Sequence, residues 1–120
     1  MAGPRQVVLK RPDEFQRCYK QGTMWKNRFA VVHVFERDDN GGPRFGFSVS
    51  RRIGNAVVRN RLKRWMREAV YPVVSDVSGG VDVVVSARSG AVVAGFWPLR
   101  GAILDLMRRA GIYERNEGEP

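Results

Sequence analysis

Between Arg44 and Arg67 the chain carries eight cations (Arg44, Arg51, Arg52, Arg59, Arg61, Lys63, Arg64 and Arg67) and no acid. Arginine presents a flat fork of donors that matches phosphate oxygens two at a time, and crowded like charges repel one another until a polyanion neutralises them. A solvated helix face ordinarily mixes signs to gain i,i+4 pairs, and here only Glu68, opposite Arg64, could supply one. The chemistry this spacing offers is phosphate binding, with Asn60 inside the cluster as a donor to a phosphate or a sugar hydroxyl.

Bond-breaking chemistry has no comparable set of residues. A two-metal nuclease needs clustered carboxylates, and a metal-free one needs paired histidines or a histidine with a carboxylate. The chain has one histidine, His33, inside a valine-rich run. Asp38 and Asp39 precede Asn40-Gly41-Gly42 and read as turn residues. No catalytic residue and no protein metal site is therefore expected. The single cysteine, Cys18, can make neither an intramolecular disulfide nor a cysteine-based zinc site, and reads as a small buried residue suited to a reducing, cytoplasmic setting.

The elements that must position these groups can be read along the 120 residues, which suit one domain over 1–120 with floppy ends at about 1–8 and 114–120. The net charge is +9, and no apolar run resembles a signal peptide or a membrane span. Pro12-Asp13-Glu14 is a helix start and Lys20 followed by Gly22 its end, with Phe15, Cys18 and Tyr19 on one face. Phe29 to Glu36 and Arg44 to Ser50, separated by a turn-rich segment, have the signature of a hairpin. The second run alternates, Phe45, Phe47 and Val49 against Gly46, Ser48 and Ser50, so its polar side could line an open groove. Gly54-Asn55 caps a helix from Ala56 to Val70, Val81 to Ala87 is a third strand, and a last helix fits Trp97 to Ala110 before Gly111. The order α-β-β-α-β-α, with room for an extra short strand near Met24, predicts an α+β fold: a small, mostly antiparallel sheet with helices packed on it.

On a helical wheel Val58, Leu62, Trp65, Met66 and Ala69 share one sector, while Asn60, Lys63, Arg64 and Arg67 fill the opposite one with Arg59 and Arg61 on its flanks. One face docks on the sheet and the other meets the polyanion. A helix-turn-helix would need a second helix directly before this one, and the preceding segment is a strand. The common single-strand RNA module expects β-α-β-β-α-β, whereas this chain opens with a helix. Composition and pattern stop at a nucleic-acid-binding α+β domain.

The run Gly46 to Glu68, GFSVSRRIGNAVVRNRLKRWMRE, closely resembles the signature of the bacterial ribonuclease P protein subunit, whose hallmark is Arg59-Asn60-Arg61 opening a basic helix. Asp13-Glu14-Phe15 with Tyr19 and Gly22 resemble that family's first helix, and Val83 to Arg88 its late strand. The resemblance implies a ribosomal protein S5 domain 2-like fold in which the strand from Arg44, the basic helix and the strand from Val81 form a left-handed crossover, against the usual right-handed rule. It implies a subunit of a ribonucleoprotein endoribonuclease that hydrolyses precursor tRNA at the mature 5′ end, with catalysis by the RNA and its Mg2+ and the protein inactive alone.

The resemblance further implies two contact surfaces; no membrane partner is expected, and protein oligomerisation is not implied. Arg52, Arg59, Asn60, Arg61, Lys63, Arg64 and Arg67 would meet the catalytic ribonuclease P RNA. Phe15, Tyr19, Ser48, Ser50, Arg51 and Arg88 would line a groove for the single-stranded 5′ leader, where base-on-aromatic stacking tolerates any sequence. His33 stands where the family often has an aromatic, and Trp65 falls on the core side of the helix. A non-enzymatic, ribosomal-type RNA-binding protein is the alternative, since the basic helix alone would serve it.

Overall fold

Valine-rich segments and helical amphipathic segments alternate along the chain, and the computed structural model, which describes residues 8–114, shows how they share one sheet. The elements are α1 (Pro12–Gln21), β1 (Thr23–Lys26), β2 (Ala30–Glu36), β3 (Arg44–Ser48), α2 (Ala56–Val70), β4 (Val81–Ala87), α3 (Gly90–Ala94) and α4 (Phe96–Arg109). Short 3₁₀ turns at Arg51–Ile53 and Tyr71–Asp76 flank α2. The expected floppy ends fall almost wholly outside the described residues; Val8, at their inner limit, bridges Phe45.

The strand order is β1-β2-β4-β3, antiparallel except for the β3–β4 pair. This corrects the hairpin expected of β2 and β3. They flank β4 instead, and the hairpin lies one element earlier, between β1 and β2, closed by Asn27, whose Oδ1 accepts from the backbone N–H groups of Phe29 and Ala30. The physical reason is the composition of β4: six of its seven residues, all but Ser86, are buried. A strand buried on both faces cannot sit at an edge, so it is inserted between its neighbours, and the turn-rich segment 37–43 arches over its start. There Arg37 N–H donates to Gly80 O and Gly80 N–H to Gly41 O, both at 2.7 Å.

The two faces of the sheet carry unequal loads. Val32, Phe45, Val83 and Val85 point to α2 and α4, where Leu62, Met66, Leu99, Ile103 and Leu106 complete the main core. Each such side chain contributes about 1.5–3 kcal/mol on burial. Among the described residues the opposite face carries α1 and a smaller cluster of Leu9, Cys18 and Val84 with Phe15 and Phe35. α3, absent from the sequence reading, is a single turn-and-a-half cut from α4 by Gly95, whose φ of 94° a side chain would strain.

Candidate RNA interface

α2 begins where Asn55 Oδ1 accepts from Val58 N–H at 3.0 Å, an N-cap that frees the helix to start directly after a tight bend. Its buried side is Leu62, Met66, Ala69 and Val70. On the outer side Asn60, Arg64 and Arg67 are exposed and Lys63 is half-buried, and none of the four has a hydrogen bond or ion pair through its side chain among the described residues. The flanking cations are partly engaged. Arg59 Nη1 donates to Gly54 O at 2.8 Å, and the Arg61 guanidinium lies over the Trp65 ring at 5.4 Å. Trp65 is partly buried against the main core, so it packs on one side and carries Arg61 on the other. Arg52 is exposed in the 3₁₀ turn before the helix.

Two shallow depressions mark this surface. One, of about 460 Å3, is lined by Val57, Asn60, Arg61, Arg64 and Arg67. The other, of about 490 Å3, lies at the helix C-terminus among Arg64, Arg67, Glu68, Tyr71 and Pro72.

The second surface is built on the lightly covered face of the sheet. Register places Met24, His33, Val84 and Gly46 in one row across the four strands, and Lys26, Val31, Ser86 and Ser48 in the next. α1 spans the first row: a Cβ on Gly46 would collide with the Phe15 ring, and Tyr19 meets His33 edge-on at 4.9 Å. The second row stays open, with Lys26 exposed and Val31, Ser86 and Ser48 half-buried. The result is a trough walled by Phe15 and Tyr19 and floored by small and polar side chains. Arg51 and Arg88 are exposed, and Arg88 Nη1 donates to Asn27 O at 2.7 Å. Ser50 lies beyond the end of β3, where its Oγ accepts from Arg52 N–H at 3.2 Å and caps the 3₁₀ turn. Burial holds His33 below the ordinary histidine range, so the ring under Tyr19 is neutral at pH 7.

Sequence reasoning missed a buried charge cluster. Asp82 of β4 is fully buried, and its carboxylate accepts from Arg17 (2.9 Å), Arg37 (2.7 Å) and Arg44 (2.8 Å through each oxygen). Arg44 also donates to Glu14 and Arg37 to Asp39, which balances three cations against three acids. Burial by itself would raise the Asp82 pKa; the arginine hydrogen bonds outweigh it and hold the carboxylate below its usual value. Arg44, counted above with the phosphate-binding cations, is therefore committed inside the protein. The available signal was a lone acid in an otherwise apolar strand, which demands cationic partners. Cys18 lies fully buried beside this cluster; burial, then the Asp82 charge, pushes its thiol up to about 11.

A cationic helix face and an aromatic-walled trough on opposite layers of one small α+β sheet would suit more than one RNA-binding protein. The ribonuclease P family model matches residues 4–111, nearly the whole chain. The chain belongs to the ribonuclease P protein family. It is 43% identical over 107 residues to the ribonuclease P protein component of Symbiobacterium thermophilum, covering 89% of this chain and 93% of that one. The corresponding protein of Brevibacillus brevis is 36% identical over 107 residues, covering 89% and 85%. Among solved structures, the Staphylococcus aureus RNase P protein matches with a TM-score of 0.82 at 30% identity, over 90% of this chain and 98% of that one. The Thermotoga maritima RNase P protein matches with a TM-score of 0.75 at 30% identity, over 85% and 96%. Membership in the ribonuclease P family makes this chain a protein component of a tRNA-processing enzyme.

Proposed function

We propose that this ribonuclease P protein holds the catalytic RNA on the outer face of α2 and the 5′ leader of precursor tRNA in the trough beside α1. The observation that carries the reading is the row of Asn60, Lys63, Arg64 and Arg67, whose side chains have no hydrogen-bond or ion-pair partner among the described residues. Free cations on a rigid helix neutralise backbone phosphates and release their counterions, which gives affinity with little dependence on base sequence. The trough adds stacking on Tyr19 and Phe15, with Arg51 and Arg88 as flanking phosphate partners.

Hydrolysis itself falls to the RNA and its Mg2+. Among the described residues no three His, Cys, Asp or Glu side chains come together to hold a metal ion; Asp82 is filled by three arginines, and Asp13, Glu14, Asp39 and Asp105 each pair with a basic side chain. No step of the chemistry is therefore assigned to a protein side chain. The geometry of α2 would equally serve a ribosomal-type RNA-binding protein, and it is the family membership that favours ribonuclease P.

The test is cleavage of precursor tRNA at moderate magnesium by protein, by cognate RNA, and by both together. Acceleration at the mature 5′ end only in the mixture is expected. Equal cleavage by RNA-free protein would overturn the division of labour, and association with ribosomal subunits without processing activity would favour the alternative.

A further inference from the structure

The helix face explains phosphate binding but leaves the depression at its C-terminal end without a role. That depression differs from the rest of the face. It is lined by two apolar-bodied residues, Tyr71 and Pro72, together with Arg64, Arg67 and Glu68. Tyr71 is held in place: it caps α2, its N–H donating to Arg67 O, and it meets Phe47 of β3 edge-on at 5.7 Å. Burial pushes its hydroxyl above the ordinary value, so the ring is uncharged at neutral pH and does not repel phosphate. Glu68, alone among cations, has no hydrogen bond or ion pair among the described residues. A carboxylate left unpaired in the same depression as two arginines suits a ligand that is anionic on one side and carries N–H donors on the other. A nucleotide has that polarity.

We propose that this depression holds one unpaired nucleotide of the catalytic RNA, its base packed on Tyr71 and Pro72, its flanking phosphates on Arg64 and Arg67, and a base amino group donating to Glu68. The inference rests on the assignment of α2 to the RNA and extends it from a phosphate rail to a site that registers the helix at one position. Uracil has no amino group and offers Glu68 only its ring N3–H, so it is disfavoured relative to the other three bases. Adenine, guanine and cytosine fit.

The experiment uses the full-length protein and its cognate full-length ribonuclease P RNA, with affinity measured across a salt series and base reactivity mapped at nucleotide resolution. Tyr71→Ala should weaken binding roughly 10-fold, the scale of one lost base stack, without changing the salt slope, because no phosphate contact is removed. Tyr71→Leu, which retains an apolar contact to Phe47 and guards against a folding defect, should behave likewise, and Tyr71→Phe should bind as wild type. One base protected by wild type and by Tyr71→Phe should become reactive with the other two variants. Replacing that nucleotide by uridine should weaken wild type several-fold more than Glu68→Ala.

Wild-type affinity in Tyr71→Ala and Tyr71→Leu, alongside weakened Arg64→Ala, would overturn the pocket and leave the helix assignment standing. If Arg64→Ala also binds normally, the helix assignment fails as well. A salt slope that falls with Tyr71→Leu would mean lost phosphate contacts rather than a lost stack, and a protected uridine would overturn the role of Glu68.

Discussion

Arg17, on α1, donates to the buried carboxylate of Asp82, on β4, at 2.9 Å across 65 residues of sequence. The same carboxylate receives Arg44 from β3 and Arg37 from the segment after β2, so one side chain fastens α1 to three parts of the sheet. Because α1 also carries Phe15 and Tyr19, this cluster fixes the wall of the trough. Removing one partner of a buried charge cluster leaves the others uncompensated. Asp82→Ala should lower unfolding stability by about 3–5 kcal/mol in denaturant titrations. A loss below about 1 kcal/mol would show that solvent reaching Arg17 and Arg44 compensates them.

The acid limb of stability should follow from the same carboxylates. Asp82 is held below its ordinary pKa, and Asp39 is lowered to about 2, chiefly by the Arg37 hydrogen bond and then by Gly41 N–H. A carboxylate whose folded pKa lies below its unfolded one stabilises fully above the unfolded value and loses that contribution as pH falls through the folded value. Stability should thus decline from about pH 4 downward. The decline should be shallower in Asp82→Asn, and an identical acid limb in wild type and variant would count against the cluster as its source.

Arg64 and Arg44 lie in the same cationic stretch and should respond differently. Arg64→Ala should weaken binding to the catalytic RNA and lower the slope of log affinity against log salt by about one. Arg44→Ala, whose guanidinium is spent on Asp82 and Glu14, should destabilise the fold with little change in that slope. Salt-dependent filter binding together with thermal unfolding separates the two. Matching slopes for both variants would refute the distinction.

Tyr19 is about one-third exposed and stands on His33 at the wall of the trough. Tyr19→Ala should spare assembly with the RNA and weaken leader-bearing precursor tRNA several-fold more than mature tRNA, as expected for about 1–3 kcal/mol of stacking per base. Competition binding to the reconstituted enzyme reads the ratio. Equal losses for both ligands would remove the trough from the binding surface.

Cys18 reports on α1. Fully buried, with its thiol pushed up to about 11, it should react slowly with thiol reagents in the native protein at neutral pH. Arg17→Ala, which cuts the tie from α1 to Asp82, should raise the labelling rate; a rate equal to wild type would show that α1 holds its place without that bond.

Much of this protein is legible in one dimension because local physics decides it. Asn55 as a cap, the apolar sector from Val58 to Ala69 and the cations opposite it follow from helical period alone, and the boundaries Ala56–Val70 and Val81–Ala87 match the expectation. The motif around Arg59-Asn60-Arg61 was enough to name the family. Strand neighbours were not legible in this way, because pairing depends on which strand most needs cover on both faces, and that comparison placed β4 between β2 and β3. The fate of each cation was likewise a tertiary matter. Arg44 and Arg64 are alike in sequence, but only Arg44 projects toward a buried carboxylate, since charge pairing is set by distances that the fold alone creates.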